Sequence, residues 1–263
     1  MPRLALRIAY DGTHFAGWQI QPRERTVQGS LEAALAKVCK RRIRVHGAGR
    51  TDSGVHALGQ TAHCDIPQDK IGVPWRRAFN ALLPEDVCVI SAQWEDDSFH
   101  ARYSAKSKIY SYTLWTAAEY VIPQRRPYVW PTGPLDTGAM QRVARVFLGR
   151  RDFAAMQNVG TPVAYTVRSV ESIRHCRGLR QEEVIWYISA DGFLKQMARI
   201  MMGCLVQAGR RRLNAEQMEA ILDSEDRSRA PATAPARGLC LERVMYRETG
   251  DRRQDGEAIG EGL

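Results

Sequence analysis

The run HGAGRTDSGVHALGQ, residues 46–60, decides how the fold and function of this 263-residue chain are interpreted. It places one aspartate, Asp52, in a short turn with glycines on both sides and Arg50 two positions earlier. Glycine allows backbone angles and close approaches that other residues resist, so such a turn can present a carboxylate to a bulky ligand. A nearby cation favours the ionised carboxylate that a nucleophile requires. From these residues alone, an active-site loop and a hairpin turn with a surface ion pair are equally good interpretations.

The segments around this turn predict a mixture of strands and helices, which indicates the α+β class. Residues 4–10, LALRIAY, have the alternating pattern of a strand, and residues 26–41 have the apolar spacing of a helix that begins after Thr26. Strands are also predicted at 43–48 and 59–66, joined through the glycine-rich turn. The remaining predicted strands are 87–94, 108–115, 165–176, 183–190 and 238–246, and the remaining predicted helices are 74–82, 136–148, 194–209 and 214–223.

The chain divides by composition into two halves and a tail. Four prolines between residues 117 and 134 predict a connecting segment between two α+β halves, residues 1–116 and 135–246. The halves could be a diverged duplication, although no residue-level repeat relates them. Residues 247–263 are polar and rich in glycine, and this tail is predicted to be disordered.

The formal charge favours a polyanionic partner. The chain carries a net charge of +9, and its tail holds three arginines against five acidic residues, so the body carries +11. Any one arginine cluster is most simply a solvated surface, but several clusters on a basic chain favour nucleic acid. The clusters are Arg41 and Arg42, Arg76 and Arg77, Arg125 and Arg126, Arg150 and Arg151, and Arg210 to Arg212.

Several other classes of protein are disfavoured. The N-terminus lacks the features of a signal peptide, and no apolar stretch is long enough to span a bilayer, so a cytoplasmic protein is expected. The six cysteines form no CxxC or CxxH pair, which argues against a zinc site and a disulfide framework. The chain also lacks the glycine spacing and GK[ST] ending of phosphate-binding loops around Asp52.

Two runs are similar to protease motifs, but the chemistry does not fit. DGTHFAG at 11–17 and DSGV at 52–55 resemble the histidine and aspartate signatures of subtilisin-like proteases. Asp11 stands where the general-base histidine should be, and no matching serine motif follows. Aspartic proteases need a second such aspartate to share a proton, and this sequence has only one DSG run.

The whole run GAGRTDSGVHALGQ resembles the catalytic motif of the TruA family of pseudouridine synthases. Other segments resemble this family in the expected order, so the resemblance covers about residues 4–246 and leaves out only the tail. These segments are YDGTHFAGWQIQ (10–21), TVQGSLEAAL (26–35), NALLPEDV (80–87), FHARYSAKSKIYSY (99–112), GFLKQMARIMMG (192–203) and APARGLCL (234–241).

The resemblance implies a reaction and a nucleophile. Asp52 matches the invariant aspartate of the family, which attacks the target uridine. Attack at carbon 6 of the base and attack at the anomeric carbon of the sugar both stay open. In either case the N-glycosidic bond breaks, the uracil rotates, and it rejoins the sugar through carbon 5. Because the product is an isomer, no redox cofactor, metal or nucleotide is expected.

The resemblance also implies roles for four other residues. Tyr110 matches the active-site tyrosine, whose ring could stack on a flipped uracil for about 1 to 3 kcal/mol and whose phenol could help remove the carbon-5 proton. Without the motif, it would be interpreted as a half-buried strand tyrosine. Arg199 matches the arginine that pairs with the catalytic aspartate. Arg50 is expected to contact backbone or RNA phosphate, and Leu239 to form an apolar pocket wall.

The residues give one independent argument for the Arg199 pairing. Arg199 follows Met197 in an otherwise apolar helical segment, where an unpaired cation would be costly. That cost predicts an acidic partner.

The chain also departs from the family pattern in three places, which bears on substrate positioning rather than on the central residues. Ser53 stands for a more usual alanine, Ala198 for valine, and Met156 for an aromatic residue.

The architecture and substrate are also implied by the resemblance. The family fold is a pseudouridine synthase fold with two similar α/β-sandwich halves, which share a central mixed, largely antiparallel sheet with a cleft between them. The implied substrate is tRNA, modified at positions 38, 39 and 40 of the anticodon stem-loop, and the implied assembly is a homodimer. Recognition mainly by shape and phosphate would allow one site to modify neighbouring positions. Two alternatives stay open: a non-catalytic tRNA-binding or chaperone protein on the same fold, and an enzyme with the same chemistry but another target RNA or position.

Overall fold

The computed structural model describes residues 1–158, 160 and 165–246. The tail that the sequence predicts to be disordered, residues 247–263, lies outside the described residues. Within the described part of the chain, no helix is long and apolar enough to cross a membrane.

Ten strands of the described chain form one sheet, which confirms the predicted α+β class with a mixed, largely antiparallel sheet. Eight of them follow the order β4-β1-β3-β10-β5-β9-β8-β7, while β2 pairs with β3 and β6 pairs with β5. The β3–β10 and β5–β6 pairs are parallel and the others are antiparallel. In chain order, β1 to β10 are Arg3–Tyr10, His46–Gly47, His56–Asp65, Val87–Glu95, Ser107–Trp115, Trp130–Pro131, Gly149–Asp152, Val167–Arg177, Glu183–Ala190 and Leu239–Met245.

Three of the five α-helices in the described part of the chain begin at a capping side chain, whereas the second and the fourth have no side-chain cap. The Thr26 hydroxyl accepts a hydrogen bond from the Gly29 amide at 3.2 Å, as predicted for a helix start. Asp136 caps the third helix, and Asn214 with Gln217 forms a capping box on the fifth. The helices described are α1 Val27–Cys39, α2 Trp75–Asn80, α3 Thr137–Val146, α4 Met197–Gly209 and α5 Ala215–Asp223.

The last strand lies at the centre of the sheet. In β10, Leu241 is opposite Ala57 of β3 on one side and Tyr110 of β5 on the other. β5 pairs with β10 and with β9, so the strands after residue 106 continue the sheet that β4, β1 and β3 begin. The proposed halves, residues 1–116 and 135–246, stay a prediction. Because β10 lies between β3 and β5, the turn before β3 is close to the strand that carries Tyr110.

The two faces of the sheet differ. Tyr10, Tyr110 and Leu241 are buried on one face. On the opposite face, Ser111 and Glu242 help to line a pocket of about 460 Å³. The connecting segment covers part of this second face. Its Tyr128 hydroxyl donates to Asp11 at 2.6 Å, and the Pro127 carbonyl lies 3.0 Å from His56 Nε2.

The observed strands differ from the predicted ones near the glycine-rich turn. Only His46–Gly47 is a strand where 43–48 was predicted, and β3 begins at His56 rather than at 59. After Gly47 the chain leaves the sheet because its next two carbonyls are bound by side chains, Lys108 at Ala48 and Gln60 at Gly49. The sequence also missed β7, whose residues GRRD lack strand-like alternation.

Candidate active site

The Asp52 loop, residues 48–55, connects β2 to β3 above the middle of the sheet. The loop closes on itself where the Val55 amide donates to the Asp52 carbonyl at 3.2 Å. Gly54 has a φ of +78°, a left-handed conformation that glycine adopts without the strain a side chain brings. Asp52 itself is 25% exposed, so its carboxylate is held in the protein but open to a ligand.

The segment DGTHFAG packs against this loop backbone to backbone, which is why it needs both of its glycines. A Cβ at Gly12 would lie 2.1 Å from the Val55 carbonyl oxygen, and a Cβ at Gly17 would lie 2.6 Å from the Thr51 carbonyl oxygen. Gly17 also has a φ of +101°. The Trp18 amide donates to the Thr51 carbonyl at 3.1 Å. The run that resembles a protease signature therefore has a structural role here.

Polar side chains from three strands hold the other side of the Asp52 loop. Lys108 Nζ donates to the Ala48 carbonyl at 2.9 Å, and Gln60 Nε2 donates to the Gly49 carbonyl at 2.9 Å. The Tyr10 hydroxyl lies 2.8 Å from Thr51 Oγ1, in hydrogen-bond contact. The supporting roles of Tyr10, Gln60 and Lys108 were not predicted from the sequence. The feature that could have identified them is a polar side chain at a strand position that points to the buried face of the sheet.

Arg199 pairs with Asp52 as the apolar context of its helix predicted. Its Nη1 donates to Asp52 Oδ2 at 2.8 Å, and its Nε donates to the Ala234 carbonyl at 2.8 Å. The two bonds fix the guanidinium from both ends, and its side chain is only 15% exposed. Among the residues the structure describes, Asp52 Oδ1 accepts no hydrogen bond. One carboxylate oxygen is therefore held by the cation, and the other is free to approach a substrate.

Tyr110 lies on β5 and is 7% exposed. Its ring meets Phe193 edge to face, with 4.9 Å between centroids and 82° between planes. Burial raises the pKa of Tyr110 well above its usual range, and the charges of Tyr10 and Asp52 act in the same direction. The phenol therefore keeps its proton at neutral pH. Its hydroxyl makes no hydrogen bond within residues 1–158, 160 and 165–246.

Arg50 and Leu239 lie at different depths. Arg50 is exposed and forms no ion pair in the described part of the chain, so its guanidinium is available to an anion. Leu239 is buried and begins β10 opposite Tyr112, which lies two residues after Tyr110 and so on the same face of the sheet. The Tyr112 hydroxyl donates to the Pro235 carbonyl at 2.7 Å, which fixes the chain just before Leu239.

The three departures from the family pattern fit without strain. The Ser53 hydroxyl donates to the Phe15 carbonyl at 3.1 Å and so adds a contact to the segment under the loop. Ala198 and Met156 are both buried in the core. None of the three substitutions disturbs the Asp52–Arg199 pair.

The sequence match to a family model decides the family. The model described as tRNA pseudouridine synthase matches residues 7–104 and 143–247, which include both members of the ion pair. This chain belongs to the tRNA pseudouridine synthase family. The prediction from the GAGRTDSG run is thereby confirmed, as is the prediction of an enzyme of the isomerase class that acts on tRNA.

Individual relatives agree with this family over nearly the whole chain. A protein named tRNA pseudouridine synthase A from Solidesulfovibrio magneticus is 53% identical over 251 residues, which covers 94% of this chain and 92% of that protein. Its namesake from Maridesulfovibrio salexigens is 50% identical over 95% of this chain and 92% of its own length. The one from Halalkalibacterium halodurans is 43% identical, covering 91% and 90%.

Proposed function

We propose that this enzyme converts uridine to pseudouridine at positions 38, 39 and 40 of the tRNA anticodon stem-loop, with Asp52 as the nucleophile. The observation that supports Asp52 best is its ion pair with Arg199 at 2.8 Å, in the loop that the family motif forms. Arg199 holds Oδ2 and leaves Oδ1 free, so the carboxylate has both a fixed direction and an open reacting atom. The same pair argues against a non-catalytic binding protein.

The proposed reaction balances without an outside reagent. The Asp52 carboxylate adds to carbon 6 of the uracil or to the anomeric carbon of the ribose, and the bond between N1 and the anomeric carbon breaks. The uracil then rotates, and carbon 5 bonds to the anomeric carbon, which displaces Asp52 if the carboxylate had attacked the sugar. Carbon 5 loses its proton, N1 takes up one proton in place of its bond to the sugar, and in the carbon-6 route the bond to Asp52 then breaks. These steps give pseudouridine and restore the carboxylate. The uridine must leave its stack to reach Asp52, so it enters the site flipped out.

Tyr110 is proposed to face the flipped uracil and to use its hydroxyl on the substrate. As a buried phenol that keeps its proton, it can receive the carbon-5 proton only if it passes its own proton on. Tyr110→Phe is expected to keep the tRNA KM within about threefold because stacking persists, while kcat falls by about 100-fold or more through loss of the hydroxyl. Steady-state release of tritium from carbon 5 of labelled tRNA measures both constants. An unchanged kcat would show that the hydroxyl takes no part.

The exposed Arg50 is proposed to contact the phosphate backbone of the RNA. The position of modification is tested by incubating unmodified tRNA transcripts with the purified enzyme and mapping pseudouridine by carbodiimide-based sequencing. The expected signals lie at positions 38, 39 and 40, in transcripts that carry uridine there. Signals confined to other positions would show the same chemistry on a different target.

The cytoplasmic location of the protein stays a prediction.

We also propose that the enzyme is a homodimer that uses the sheet face opposite Tyr110. Leu58 is 55% exposed and lines the 460 Å³ pocket on this face together with Glu242 and Tyr187. An exposed apolar patch with a polar rim is typical of an interface.

The homodimer proposal predicts a change of assembly when a charge is placed on this face. Leu58→Arg is expected to shift the protein from twice the chain mass of 29.7 kDa to a monomer, because two buried cations would face each other across the axis. Sedimentation velocity measures this directly. The matched control is Leu179→Arg, the same substitution in a fully exposed position between β8 and β9. A wild-type monomer, or a Leu58→Arg dimer, would contradict the proposal.

A further inference from the structure

Lys108 lies in an unusual place for a lysine. It is on β5, two residues before Tyr110, and therefore points to the same face of the strand. Its Nζ donates to the Ala48 carbonyl of the Asp52 loop at 2.9 Å. A Cβ at Gly49 would lie 3.1 Å from this Nζ, so a side chain at position 49 would crowd the ammonium group. The loop is thus shaped to receive the lysine.

No carboxylate compensates the charge of Lys108 in the described part of the chain. The charged groups that act on it are Arg102, from the loop before β5, and Arg168, on β8, and both are cations. Burial, with these two arginines, lowers the pKa of Lys108 to about 8. An ammonium group with only a carbonyl as partner is costly to bury. Such a cost is more often found beside functional groups than in ordinary packing.

The contact joins the two parts of the proposed site. Ala48 begins the loop that carries Asp52, and the strand of Lys108 carries Tyr110. Gln60 holds the next carbonyl, that of Gly49, but it comes from β3, which directly continues the loop. Among these supports, Lys108 is the one whose strand also presents the ring that would face the uracil.

We propose that Lys108 is a positioning residue, which fixes the Asp52 loop against the strand of Tyr110 so that carboxylate and ring meet the uracil in register. This inference rests on the proposed roles of Asp52 and Tyr110. Lys108 takes no part in bond making. Misplacing the carboxylate by about one ångström is expected to slow the chemical step about 100-fold, with little effect on tRNA binding.

The proposal predicts a pH dependence with a definite sign. Below pH 8 the ammonium group makes a charge-assisted bond to the Ala48 carbonyl, and above pH 8 a neutral amine makes a weaker one. The rate of the chemical step should therefore fall as pH rises through about 8. Folding stability should move the other way, because a lysine with a lowered folded pKa binds fewer protons folded than unfolded between its two pKa values. If Lys108 had only a structural role, the rate of the chemical step would not fall with rising pH while the folding stability rises.

Single-turnover tritium release from carbon 5, with enzyme in excess over labelled tRNA, tests the proposal across pH 6.5 to 9.5. Lys108→Met is expected to slow the step by about 10- to 100-fold at pH 7, with the tRNA dissociation constant changed less than about threefold. Lys108→Arg keeps a permanent cation, so it should stay within about threefold of wild type at pH 7 and lose the decline near pH 8. Lys106→Met, an exposed lysine of the preceding loop, is the control and should leave the pH profile unchanged.

The possible results distinguish a failure of the positioning role of Lys108 from a failure of the proposed function on which that role rests. A wild-type rate and profile in Lys108→Met would overturn the positioning role while leaving Asp52 in place. If Lys108→Met fails to fold, Lys108→Arg decides, because a decline near pH 8 that persists in it would come from another group. If wild-type enzyme released no tritium from any tRNA, the proposed function itself would fail.

Discussion

Arg199→Gln is expected to slow pseudouridine formation by about 10²- to 10³-fold, because it removes the cation that orients the Asp52 carboxylate. Glutamine is shorter and neutral, and it cannot reproduce the two bonds of Arg199, to Asp52 Oδ2 and to the Ala234 carbonyl. Arg199→Lys should fall nearly as far, since one ammonium group cannot span both acceptors as the planar guanidinium does. Single-turnover tritium release measures the effect on the chemical step.

The control for Arg199 is Arg212→Gln, an exposed arginine just beyond the other end of α4. It removes the same charge and should alter tRNA affinity at most, with the single-turnover rate unchanged at saturating enzyme. If Arg199→Gln weakened only binding, as a phosphate contact would, the account of Arg199 as the partner of Asp52 would be wrong.

Asp52→Asn and Asp52→Glu separate the charge of the nucleophile from its position. Asparagine keeps the shape but cannot form the covalent bond, so a loss of about 10⁴-fold or more is expected. Glutamate keeps the charge but moves the carboxylate by one methylene within a loop that Gly12 and Gly17 hold tightly, so a loss of about 10²-fold or more is expected. Filter binding should show both variants within about threefold of the wild-type affinity for tRNA.

The outcome that would contradict this assignment is a substantial rate in Asp52→Asn, which would make the carboxylate an electrostatic aid rather than a nucleophile. Circular dichroism at 222 nm and thermal melting confirm that both variants are folded. The side chain is 25% exposed, so neither substitution is expected to disturb the core.

Local signals in the sequence predicted most elements of this fold. Thr26 marked a helix start because capping depends on side chains next to the helix itself. The strand LALRIAY followed from alternation alone. The position of β10 between β3 and β5 could not be obtained this way, since pairing between residues 57 and 241 depends on the whole topology. The length of the short strand at His46–Gly47 was overestimated because side chains of β3 and β5 donate hydrogen bonds to the next two carbonyls.

The candidate site, too, could be predicted from the sequence only in part. The Asp52–Arg199 pair was predictable because a cation in an apolar helix demands a carboxylate, and the family motif named which one. The supports under the Asp52 loop were not, because Tyr10, Gln60 and Lys108 reach it from three strands that meet only in the folded sheet. Phe193, which braces Tyr110, gave no signal beyond its place in an apolar run.

Comparison of wild-type enzyme with Asp52→Ala tests whether the carboxylate of Asp52 carries the reaction. The same unmodified tRNA transcript is incubated with equal amounts of the two proteins, and pseudouridine is mapped in both by carbodiimide-based sequencing. Signals in the anticodon stem-loop are expected with wild type and none with the variant. Equal signals from the two proteins would contradict this role of Asp52.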